Sequence, residues 1–113
     1  MLERELKEHL LNRPAELKRM QKQGTKVVAY FPGEYVPEEI IYASGAVPIS
    51  FIHGGDPESV EAAHSAITRF VCPFSKAQIG YRFIGEQPYY EIFDLLVAPI
   101  TCQHLRNHLS RPL

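Results

Sequence analysis

The 113-residue sequence predicts an α/β fold built on a parallel sheet, and two observations carry that prediction. Short apolar runs rich in strand formers recur at "KVVAYF", at "AVPISFI" and within "YEIFDLLVAPI". Between them lie segments with helical spacing and helical punctuation, so the order reads helix, strand, helix, strand, helix, helix, strand, helix. Strands that alternate with helices in this way pair in parallel, with the helices packed on the sheet. Composition agrees: 45% hydrophobic and 22% charged residues suit one α/β domain over residues 1–113 with a modest core. The expected architecture is small and Rossmann-like (flavodoxin-like), a three-layer parallel sheet with helices on both faces, preceded by an N-terminal helix. Three strands are few for a doubly wound sheet. The chain is therefore read either as a small sheet that pairs with a partner or as the amino-terminal piece of something larger.

Each element has a local reason. Residues 2–22 set Leu2, Leu6, Leu10, Leu17 and Met20 among charges, with Glu3 and Lys7 a favourable pair one turn apart. This predicts an amphipathic helix interrupted near Asn12–Pro14 and ended by Gly24. "KVVAYF" follows as a buried strand. "PGEYVPEEIIYASG" reads as a loop and then a helix, with Pro37 in its first turn and Gly45 just past its end, the favoured placement of both residues. In "AVPISFI", Pro48 argues for an edge strand or a bulge. "HGGDPES" breaks the chain. From Pro57 to about Phe70, Val60, Ala63, Ile67 and Phe70 have helical spacing, and Pro73 forces a stop or a kink before a further helix through about Tyr81. Asp94–Ala98 is the expected third strand, and Thr101 caps a last helix.

The totals exclude several classes of function. A net charge of -1 argues against nucleic-acid binding, which normally leaves a basic excess. The seven Lys/Arg and four Glu of residues 1–26 are ordinary for a solvated helix face. No apolar run approaches the roughly 20 residues needed to cross a bilayer, and the amino terminus reads as a charged helix, not a signal sequence. A cytoplasmic protein without membrane contact is expected. Two cysteines are too few for a disulfide framework, which leaves thiols or metal ligands.

In open α/β sheets, ligands gather beyond the carboxyl ends of the strands. "FPGEYVP", "IHGG" and "PITC" occupy that position after the three strands, and Cys102 falls there. It follows Thr101 at a helix start, where unpaired N–H groups and the helix dipole favour a thiolate. Cys72 has the same design, because Pro73 fits the first helical position and leaves Cys72 at the cap. Against this stands the plainer reading that both are small core residues. Cys102, His104 and His108 on one helix also raise zinc, although their spacing matches no compact zinc module. Glu34, Glu38 and Glu39 offer a general base near the sheet edge, or simply complement a helix dipole. Ser75 is either a donor to whatever Cys72 binds or an ordinary first-turn serine. His53 reads more simply as a turn histidine in water, and the aromatics as core and rim. "HGGD" lacks the lysine and spacing of a phosphate-binding loop.

Three blocks, "YFPGEYVPEEIIYASGAVPI", "CPFSKAQIG" and "DLLVAPITCQHL", resemble in order and spacing the amino-terminal part of the 2-hydroxyacyl-CoA dehydratases, the group that includes 2-hydroxyglutaryl-CoA dehydratase D-component and benzoyl-CoA reductase subunits. The resemblance runs from about Leu6 to Asn107. It implies a [4Fe-4S] cluster held by three cysteines, with Cys72 matching the ligand of the "CPFS" block and Cys102 that of the "TC" block. The third cysteine lies far downstream in the family, and this chain reaches Leu113 without it. Gln103 stands where the family tends to have Asp. The block around Pro37–Glu39 matches a segment close to the substrate, which implies substrate-side roles for Glu34, Glu38 and Ser75. The implied reaction is radical elimination of water from a (R)-2-hydroxyacyl-CoA, or related benzoyl-CoA reductase chemistry. The implied partners are an acyl-CoA substrate, a second dehydratase subunit or another copy of the chain, and an ATP-dependent iron–sulfur activator protein. The rival readings are a non-catalytic α/β module that self-associates and a small redox or zinc-binding protein using Cys72 and Cys102.

Overall fold

A computed structural model describes residues 1–32, 36–52, 56–67, 70–85, 87–99 and 103. Its elements run α1 (Leu2–Lys22), β1 (Val27–Tyr30), α2 (Glu38–Ala43), β2 (Val47–Ser50), α3 (Pro57–Ala62), α4 (Pro73–Ile84) and β3 (Leu95–Val97), with single 3-10 turns at Ala63–Ser65 and Pro88–Tyr90. The three strands form one parallel sheet in the order β2-β1-β3, flanked by helices, as the alternation predicts. Tyr30 pairs with Ser50 and with Val97, so the carboxyl ends of all three strands meet at one edge.

β1 is the centre of the sheet and its Val27, Val28 and Ala29 are buried. β2 is an edge strand that alternates Val47 and Ile49 inward with Pro48 and Ser50 less covered. The proline is tolerated for a geometric reason. Val47 and Phe51 donate their N–H groups to the carbonyls of Lys26 and Tyr30 on the side of the centre strand, so the nitrogen of Pro48, alternating with them, points away from the ladder. Asp94 fastens the amino end of the sheet: its carboxylate accepts from the Val27 N–H at 2.9 Å and from the Gln21 side chain at 3.1 Å, while its own N–H donates to the Val27 carbonyl at 2.8 Å. It thereby joins α1, β1 and β3.

The main core gathers Leu17 of α1, the inward residues of β1 and β2, Phe31, Phe51, Ala77, Tyr81, Tyr90 and Ile92. Tyr90 stacks on Phe51 at 4.2 Å between ring centroids, and its hydroxyl donates to Gln78 Oε1 at 2.5 Å, which satisfies the one polar atom that a buried tyrosine brings with it. Arg82 donates to the Tyr90 carbonyl at 2.7 Å and lies over the Phe93 ring. A smaller cluster of Ala63, Ile67 and Ile79 seals α3 and its following turn against α4. That contact requires a glycine: a Cβ on Gly80 would fall 1.6 Å from the carbonyl oxygen of Ser59. Ser59 itself is fully buried, with its hydroxyl donating to the Asp56 carbonyl.

Two expectations need correction. α1 is one helix of 21 residues that runs through Pro14 instead of breaking there. Proline has no N–H to give the carbonyl four residues back, which is that of Leu10. The Tyr89 hydroxyl takes that place, donating to the Leu10 carbonyl at 3.0 Å from the far end of the sequence. The helix predicted from Pro57 to about Phe70 is also shorter. α3 stops at Ala62 and tightens into the 3-10 turn, where the Ser65 hydroxyl donates to the Ala62 carbonyl and competes with the helical ladder. Phe70 is 94% exposed and so does not belong to the buried stripe assigned to it.

Candidate functional site

Pro73 does not end a helix; it begins one. It takes the first position of α4, where a missing N–H costs nothing, and leaves Cys72 as the cap with extended backbone angles. The four leading N–H groups of a helix lack carbonyl partners, and the cap side chain is placed to accept from them. Here that acceptor is sulfur. The Ser75 N–H donates to Cys72 Sγ at 3.5 Å and the Ser75 hydroxyl lies 3.6 Å from the same atom. Ser75 is 1% exposed, so its hydroxyl is fixed at the sulfur and not shared with bulk water.

Burial pushes the half-buried Cys72 thiol up. The N–H and hydroxyl of Ser75, the Phe74 N–H and the charge of Lys76 outweigh it, and together hold the thiol below its ordinary value. The start of α4 therefore favours a thiolate, the form that binds metals and reacts as a nucleophile. Lys76, one turn after Cys72, is itself buried, and its ammonium lies 3.3 Å from Nε2 of His64 on the turn after α3. Beside this helix start opens a cleft of about 480 Å³ lined by Asp56, Pro57, Val60, Glu61, His64, Pro73 and Phe74. Asp56 caps α3 through the Glu58 N–H, so the cleft lies between the starts of α3 and α4. A second cleft of about 550 Å³ lies around Gly24, Lys26, Asp94 and Leu95 at the opposite, amino end, and none of the residues selected from the sequence line it.

Glu38 sits at the first position of α2, beyond the end of β1, and its carboxylate accepts the hydroxyl hydrogen of Tyr30, the last residue of β1. Burial first, and then this carboxylate, raise the Tyr30 phenol above its ordinary value, with Ser50 at the paired end of β2 opposing them. The structure thus brings Cys72 and Ser75 together at one helix start, and Glu38 and Tyr30 together at the carboxyl edge. Cys102, Glu34, Thr101, His53, His104 and His108 lie outside the described residues. Among the described residues no group of three or more His, Cys, Asp or Glu side chains converges to hold a metal. The thiolate-favouring cap is nonetheless the donor chemistry that an iron or zinc site uses, and it suits one ligand of such a centre. No helix among the described residues is long and apolar enough to cross a membrane.

Sequence reasoning missed Tyr30, Lys76 and His64 as members of these clusters. Lys76 was open to discovery, since a residue four after a capping cysteine returns to the same side of the helix. Tyr30 carried the weaker signal of being the last strand residue before the loop. His64 meets Lys76 only through the packing of α3 on α4.

The fold and site define a parallel α/β unit with a hydrogen-bonded cysteine at a helix start and an acid–phenol pair at the strand ends. The chain belongs to the family described as 2-hydroxyglutaryl-CoA dehydratase, D-component, whose model matches residues 34–110. It is 35% identical over 68 residues to the protein named "Putative dehydratase subunit YjiM" of Escherichia coli (strain K12), covering 60% of this chain and 18% of that one. It is 32% identical over 82 residues to a benzoyl-CoA reductase subunit of Thauera aromatica, covering 73% of this chain and 20% of that one. The chain thus spans about a fifth of the length of these curated relatives.

Proposed function

We propose that this chain is the cluster-holding amino-terminal region of an iron–sulfur 2-hydroxyacyl-CoA dehydratase subunit, with Cys72 and Cys102 as thiolate ligands of a [4Fe-4S] cluster. The observation that carries the reading is the cap of α4. It lies inside the family match and sets the N–H and hydroxyl of Ser75 and the charge of Lys76 near Cys72 Sγ. A helix start that stabilises a thiolate is suited to a ligand, and hydrogen bonds to such a sulfur tune the potential of whatever it binds. When bound, the cluster supplies one-electron chemistry and a Lewis-acidic iron for a thioester carbonyl.

The reaction is elimination of water from a 2-hydroxyacyl-CoA, or related reductase chemistry on a benzoyl-CoA. The residues of this chain then have separate tasks. Cys72 holds a donor sulfur, and Ser75 keeps it ionised. Glu38 and Tyr30 hold a proton between them at the carboxyl edge, and this pair, with Glu34 four residues before Glu38 in the sequence, serves the substrate side. A second subunit and an ATP-dependent iron–sulfur activator complete the system, and the protein works in the cytoplasm.

Anaerobic reconstitution with iron and sulfide tests the assignment, read by iron and acid-labile sulfide content and by EPR after reduction. The chain takes up iron and sulfide, and Cys72→Ala and Cys102→Ala each lose most of it. Uptake by Cys72→Ala equal to that of the unmodified chain overturns the reading.

A further inference from the structure

The carboxyl edge of the sheet holds one more hydroxyl beside the acid–phenol pair. Ser50 ends β2 and is the register partner of Tyr30 at the end of β1. Paired residues of neighbouring parallel strands send their side chains to the same face, so Ser50 and Tyr30 share one side of the sheet. Tyr30 reaches along that side to Glu38 at the start of α2.

A phenol oxygen has one hydrogen to give and lone pairs to accept with. Tyr30 gives its hydrogen to Glu38 Oε1. Ser50 is hydrogen-bonded to the same phenol and favours its ionised form, which is the effect of a bond donated to the oxygen and the opposite of one accepted from it. The three side chains therefore form one directed chain, in which Ser50 donates to Tyr30 and Tyr30 donates to Glu38. Reversing the first bond would turn the phenol hydrogen to Ser50 and take it from the carboxylate.

We propose that Ser50 is a positioning residue: by donating to Tyr30 it commits the phenol hydrogen to Glu38 and holds the pair with Tyr30 protonated and Glu38 ionised. Hydrogen bonds in series polarise one another, so the bond from Ser50 strengthens the one from Tyr30 to Glu38. The other oxygen of a carboxylate held in this way still accepts, and the pair is set to take a proton at Glu38 and not to give one. This deepens, and rests on, the reading that the pair serves the substrate side; the cluster has no part in it.

Titration of Tyr30 tests the direction of the chain. Burial, Glu38 and Tyr42 raise this phenol and Ser50 opposes them. NMR follows the labelled ring carbon of each tyrosine against pH in the protein without iron or sulfide, and the Tyr30 signal is identified by its loss in Tyr30→Phe. Ser50→Val and Ser50→Thr have nearly the same shape and differ by the hydroxyl, so a role in packing alone predicts no difference between them. Ser50→Val moves the Tyr30 midpoint upward, and Ser50→Thr leaves it where the parent has it. A midpoint unmoved or lowered in Ser50→Val overturns the proposal, as does a threonine variant that behaves like the valine one. Because no cluster is present, failure here leaves the cluster assignment standing, and failure of reconstitution leaves this result standing.

Discussion

Replacing Gly80 by alanine adds one methyl group at the crossing of α3 and α4, where the structure has no room for it. The new Cβ would stand 1.6 Å from the Ser59 carbonyl oxygen and 2.4 Å from its carbon, whereas real Cβ contacts do not fall below 3.0 Å. The obstruction is backbone of a fully buried residue, so it cannot swing aside as a side-chain tip would, and α3 must retreat by more than an ångström. Overpacking of this kind costs about 3 kcal/mol, at the upper end of the usual range because two helices move as bodies. Alanine returns about 1 kcal/mol through its higher helix propensity. The net loss is about 2 kcal/mol, a large share of the stability of a small domain. For a chain of this size it lowers Tm by about 8 °C. Thermal unfolding followed by circular dichroism measures it. The sign decides the matter: without the clash, the propensity gain alone raises Tm, so a Gly80→Ala variant as stable as the parent refutes the packing described for α3 and α4.

Pro14→Ala stabilises α1 by about 1 kcal/mol or more, since the replacement supplies the N–H that proline lacks. Tyr89→Phe costs about 1 kcal/mol in the parent and less in the Pro14→Ala background, where the Leu10 carbonyl no longer depends on Tyr89; denaturant unfolding of the four proteins measures this coupling. The Val27 N–H and then the Gln21 amide hold the Asp94 carboxyl below the usual carboxylate range, against a smaller opposing effect of burial and with help from Lys26. A carboxylate favoured in the folded state contributes stability that is full above its unfolded pKa of about 3.9 and is lost as pH falls through the lower folded value. Asp94→Asn removes that part of the acid dependence, seen as a flatter curve of stability against pH below about 4. An unchanged acid limb contradicts the role given to Asp94.

What was legible in the sequence was what neighbours in sequence decide. Pro73 and Cys72 specify their own cap, because a helix start is a matter of three or four consecutive residues. Gly24 and Gly45 end α1 and α2 with positive φ, and Pro48 marks an edge strand by its missing donor alone. The Cys72–Ser75 contact belongs to the same class, being one turn of one helix. What was hidden came from distant residues. Pro14 reads as a break until Tyr89 arrives to satisfy Leu10. Gly80 reads as a weak point in a helix until Ser59 is packed against it. The spacing of Phe70 fits a buried stripe that the chain leaves before reaching it. Lys76 and His64 form a pair only because α3 lies across α4.

Everything proposed for the site rests on the start of α4 holding Cys72 as a thiolate through Ser75. Alkylation of the 113-residue chain over a range of pH, with the Cys72 peptide resolved by mass spectrometry, follows that sulfur separately from Cys102. Cys72 is expected to titrate below an unperturbed thiol measured alongside it, and Ser75→Ala, which removes the hydroxyl and keeps the backbone donor, is expected to move the midpoint upward. A midpoint at or above the ordinary value, unmoved by Ser75→Ala, would show that the cap does not hold a thiolate.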